Sequence, residues 1–71
     1  MISVLEGLHE FISPLTVSDI GVQAGYVGKI VAVLERQLHI VVVEFLAHHG
    51  STKGLITFNG DTDTMLGIDP A

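Results

Sequence analysis

Histidines are the residues in this chain with the most chemistry to offer. His48 and His49 are adjacent, His39 precedes them on an apolar run, and His9 stands far upstream. Ligand pairs in recognised zinc motifs lie about two to five residues apart, so that both imidazoles turn to one ion. Adjacent histidines reach one ion only by contorting the backbone, and neither His-x-His nor His-x₃-His spacing occurs. The pair reads first as solvated loop residues. It reads second as part of a small-ligand or metal site at an oligomer interface, and last as a source of a general base.

Two other clusters imitate known sites and fall short. Asn59, Asp61 and Asp63 alternate like the start of a calcium loop. Such a loop needs glycine at its sixth position and a bidentate glutamate at its twelfth. Counted from Asn59, those positions hold Thr64 and Pro70, so the segment reads as a polar turn with its Asp side chains capping backbone amides. Ser51 has histidine neighbours but no Gly-x-Ser-x-Gly elbow. Gly25 to Gly28 lacks the Lys-Ser/Thr of a phosphate loop and reads as turn-forming. No catalytic residue, cofactor or single-chain metal site is expected.

The composition narrows the classes further. The 71 residues include 3 Lys+Arg, 8 Asp+Glu and no cysteine, for a net charge of −5. Three basic side chains neutralise few phosphates, so nucleic acid is not an expected partner. Without cysteine there is no disulfide and no thiolate metal site. Met1 to Leu8 has no basic residue, and the longest apolar runs are strand-sized. Neither a signal peptide nor a membrane helix is therefore expected, and a cytoplasmic location is the simplest expectation. Charged residues make up 15% of the chain against 48% hydrophobic ones. So small and weakly charged a domain gains from burying a second surface, which points to self-association.

The elements that would position these residues are mainly strands, in one domain spanning 1–71. Ile30–Leu34 and Leu38–Phe45 are β-branched and aliphatic runs separated by the polar break Glu35-Arg36-Gln37, which predicts a hairpin. One long helix over 27–47 is the alternative, disfavoured by Val41-Val42-Val43. Leu55–Phe58 and Met65–Ile68 read as two more strands, with Asn59-Gly60 as a turn signal. At the N-terminus, Val4, Leu5, Leu8, Phe11 and Ile12 fall at helical spacing, yet 9–13 reads equally as a strand, and a strand near 9–13 is the favoured reading. Pro14 and Gly21 interrupt regular structure between 14 and 25.

Gly25-Tyr26-Val27-Gly28-Lys29-Ile30-Val31-Ala32-Val33, followed by Val41-Val42-Val43-Glu44-Phe45, is similar to the Gly-x-x-Gly-x-Val hairpin of KOW-type small barrels. The whole chain then resembles Src-homology-3-like barrels of bacterial domain families of unassigned function. The resemblance implies an all-β fold, a small five-stranded barrel with room for a short N-terminal helix. It implies no catalytic residue. KOW relatives that bind RNA use basic loops, and this chain departs from them in charge. Gly25 and Gly28 suit the point where loop becomes strand, because glycine permits a tight turn or bulge there.

The hairpin is apolar on both faces. Val41, Val43 and Phe45 form the cleaner inward set, which leaves Ile40 and Val42 outward beside Ala32 or Leu34. Contiguous outward apolar residues are unusual on a monomer. Ile40, Val42, Ala32 and Leu34 are therefore the expected interface, with a second copy or another protein as partner. Alternatively the loop 14–24 folds over this face and hides it with Leu15, Val17 and Ile20. The leading expectation is a non-catalytic, self-associating interaction module. A ligand- or metal-binding protein using His48 and His49 comes second.

Overall fold

The computed structural model describes residues 10–70. The segment that could be helix or strand lies mostly outside them, and the end that is described is strand. Five strands follow one another in chain order: β1 (Glu10–Ile12), β2 (Val27–Glu35), β3 (Ile40–Leu46), β4 (Thr52–Asn59) and β5 (Thr64–Pro70). Each pairs antiparallel with the next, in a single sheet ordered β1-β2-β3-β4-β5. The fold is thus all-β, but the sheet is open. β1 and β5 are its edges, and no ladder joins them among the described residues.

Alternation along β3 sorts the side chains. Val41, Val43 and Phe45 are buried, as the pattern predicts. Their cross-strand partners on β4 are Phe58, Ile56 and Gly54, which share the inner face. Ile30 and Val33 of β2 oppose Val43 and Val41 on that face. Met65 and Ile68 of β5 complete it, opposite Phe58 and Ile56.

The sheet curls strongly. Two irregularities in the β2–β3 register, between Ile30 and Ala32 and between Val33 and Glu35, leave Val31 and Leu34 as additional residues on β2. Bulges of this kind bend a strand and increase its twist. The curl brings Phe11 of β1 over Phe58 of β4, with ring centroids 4.9 Å apart. Gly28 serves this packing. A Cβ there would run into Val43 and come within 2.7 Å of Phe45. Its role is close approach under an aromatic ring, whereas the bulges expected near it lie further along, at Val31 and Leu34.

The segment between β1 and β2 is more than a connector. Val17 and Val22 pair in an isolated bridge, and Ser18–Ile20 forms one 3₁₀ turn. Gly21 ends that turn at φ 72°, in the left-handed region that glycine enters without penalty. Val17, Ile20 and Val22 are all buried in the core. Ile20 lies against Gly54 on the inner face. The loop therefore closes the inner side of the sheet, and the alternative in which it hides the outer face is not what forms. Buried Ser13 ties down its start: its hydroxyl donates to the Leu15 carbonyl at 2.6 Å, and its amide donates to the Tyr26 carbonyl at 2.8 Å.

The hairpin tip differs from the sequence expectation. The turn covers residues 36–39, so Leu38 and His39 belong to it and β3 begins at Ile40. His39 adopts φ 54°. A left-handed residue near the end of a longer hairpin loop restores the strand twist, at a local cost of roughly 1–2 kcal/mol for a residue with a Cβ. The His39 carbonyl accepts from the Gly60 amide at 2.8 Å, which links the two neighbouring turns.

Candidate functional site

The outer face of the hairpin carries the residues expected at an interface. The register sets Ala32 opposite Val42, and Val42 opposite Thr57. Ile40 stands between Glu35 and Asn59. Ala32 and Val42 are thus brought together, while Glu35 interrupts the row at Ile40. Val42 and Ile40 are half-buried by their flanking strands and Ala32 is exposed. Leu34, the additional residue beside Glu35, is 62% exposed. Leu34 is therefore the large apolar side chain of this set that stands exposed to water.

A second apolar group lies at the other end of the same face. Ile12 pairs with Val27 across β1 and β2, and they are 64% and 58% exposed. Lys29 and Glu44 oppose each other on the outer face. Val27 and Leu46, each two residues further along, fall on that face by strand alternation. Sequence reasoning missed this group because the pairing of β1 with β2 spans the long loop. The available signal was the alternation Val27, Lys29 on β2 once Gly28 is recognised as inward.

The chemically suggestive residues settle into local roles. His39 Nδ1 lies 2.5 Å from an Asp61 carboxylate oxygen, with both side chains about half exposed. Asn59, not an aspartate, caps the next turn: its Oδ1 accepts from the amides of Asp61 at 2.9 Å and Thr62 at 3.3 Å. Ser51 Oγ lies 3.0 Å from His49 Nδ1 within the turn between β3 and β4. Glu44 accepts from the Thr52 hydroxyl at 2.6 Å. His9 lies outside the described residues. Among those described, no three His, Asp or Glu side chains converge as metal ligands would. No helix among them is long and apolar enough to cross a membrane.

Comparison with protein-family models, with curated proteins and with solved structures found no match to this chain.

Proposed function

We propose that this chain is a non-catalytic interaction module that associates with a second copy of itself through the outer face of the β2–β3 hairpin. The observation that carries the reading is the outward pair Ala32–Val42, with Leu34 beside it 62% exposed. Fully burying an aliphatic side chain contributes about 1.5–3 kcal/mol. Leu34 has most of that still to gain, and Val42 and Ile40 only part of it. A twofold contact counts each contribution twice and closes on itself without forming fibres. The small core gives such a contact a purpose, since a domain of this size gains stability by association.

An open meander curled until its first strand reaches its fourth also supports reading the sheet as a partly closed barrel of the Src-homology-3-like kind. Folds of that kind host many roles, so the interface reading rests on the face and not on the fold. Leu34→Asp tests it. The side chain is exposed in the isolated chain, so the variant stays folded, with a melting temperature close to wild type. It loses association in analytical ultracentrifugation. A variant that associates as the wild type does would refute the proposed surface.

A further inference from the structure

The β3–β4 end of the molecule carries a shallow groove of about 270 Å³, lined by Tyr26, Leu46, Ala47, His48, His49 and Lys53. It lies at the opposite end of β3 from the hairpin tip and includes none of Ala32, Leu34, Ile40 and Val42, the residues that carry the proposed association. We propose that this groove binds a small organic anion, a carboxylate carried on an apolar or aromatic body, through Lys53 and the imidazoles of His48 and His49.

Charge is the first support. The chain holds 8 carboxylate residues against 3 Lys+Arg, yet the groove is lined by a lysine and two histidines and by no carboxylate. Lys53 has no ion-pair partner among the described residues. Glu44, on the neighbouring strand, is engaged by the Thr52 hydroxyl. Lys53 lines the groove and reaches the Gly21 turn, where its Nζ lies 3.1 Å from the position a Cβ on Gly21 would take, and it gives the groove its one fixed positive charge.

Orientation is the second. The turn beneath the histidines is held by the Gly50 amide donating to the Ala47 carbonyl at 2.9 Å and the Ala47 amide donating to the Ser51 carbonyl at 2.8 Å. Ser51 Oγ sits 3.0 Å from His49 Nδ1. When that hydroxyl donates to Nδ1, the ring proton resides on Nε2, which becomes a donor for an anion. Holding the ring before the ligand arrives removes part of the ordering cost of binding.

Size and polarity define the ligand. Sites that enclose drug-sized molecules run to about 300–1,000 Å³, so this groove suits something smaller. Tyr26 and Leu46 are exposed and offer an aromatic face and an aliphatic surface to the body of the ligand. Lys53 is the one fixed positive charge, which matches a singly charged carboxylate better than a dianionic phosphate. A bound transition metal would use the other His49 tautomer and needs about four ligands, of which the groove supplies two imidazoles.

The test is an amide NMR titration of the full chain with benzoate, with benzyl alcohol as its uncharged counterpart and zinc chloride as the metal probe. Benzoate is expected to shift Tyr26 and residues 46–53 saturably in the millimolar range, and benzyl alcohol to leave them in place. Lys53→Met weakens benzoate binding about tenfold, the loss of one charge-assisted hydrogen bond, while Lys29→Met does not. The same spectra report whether each variant is folded. Absence of saturable shifts, equal response to benzyl alcohol, or saturation by zinc alone would each overturn the assignment.

Discussion

Phe11 and Phe58 stack with centroids 4.9 Å apart and planes 23° from parallel, although the strands that carry them are separated by two others in the sheet. Phe58 also meets Phe45 edge-on at 6.5 Å. The three rings hold the curl of an open sheet where backbone pairing between its edges does not. Among the described residues β1 contributes three paired residues, and this stack ties it to β4 across the sheet.

Phe11→Ala therefore releases β1 ahead of the other strands. Phe11 is only partly buried, so the expected loss is about 2–3 kcal/mol, below the roughly 3–5 kcal/mol of a fully buried phenylalanine. Hydrogen exchange provides the check. Protection falls at residues 27–29, which pair with β1, and persists along β3 and β4. Uniform loss of protection would mean that the stack supports the whole core equally.

Gly28→Ala tests whether that glycine is there for space. Its added methyl has no room between Val43 and Phe45, so those side chains or β2 must shift. Overpacking of this kind costs roughly 1–3 kcal/mol. Urea denaturation of the variant is expected to show a lower midpoint with an unchanged slope. A midpoint equal to wild type would contradict the close approach.

Val41 and Val42 are neighbours on β3 and separate stability from association. Val41 is buried in the core, so Val41→Asp puts an unpaired charge there, which costs several kcal/mol and unfolds a domain of this size. Val42 faces outward and is half-buried, so Val42→Asp lowers the melting temperature modestly and mainly weakens association. Circular dichroism and sedimentation measured on both variants decide it. If both remain folded and associated as wild type, the facing of β3 and the interface fail together.

The facing of β3 was legible because two-residue alternation reads directly off Val41, Val43 and Phe45. The central hairpin and the two strands after it followed from turn signals between apolar runs. Other features depend on contacts distant in sequence. Val17, Ile20 and Val22 lie in a segment broken by Pro14 and Gly21, and nothing local marks them as core. The hairpin tip was misplaced because Leu38 continues the apolar run while His39 takes a left-handed conformation that its type only weakly suggests. The bulges at Val31 and Leu34 have no glycine to announce them. In the candidate site, the outward placement of Val42 followed from alternation along β3, whereas Ala32 faces outward because the register shift between Ile30 and Ala32 breaks the alternation of β2. The exposed Ile12–Val27 pair required the β1–β2 register.

Sedimentation equilibrium of the wild-type chain at micromolar concentration tests self-association most directly. The chain mass is 7.6 kDa. The wild-type chain is expected to show a concentration-dependent mass rising to twice that value, with Leu34→Asp held at the single-chain mass under the same conditions. A wild-type chain that stays at 7.6 kDa across the range, folded and with well-dispersed spectra, would contradict it.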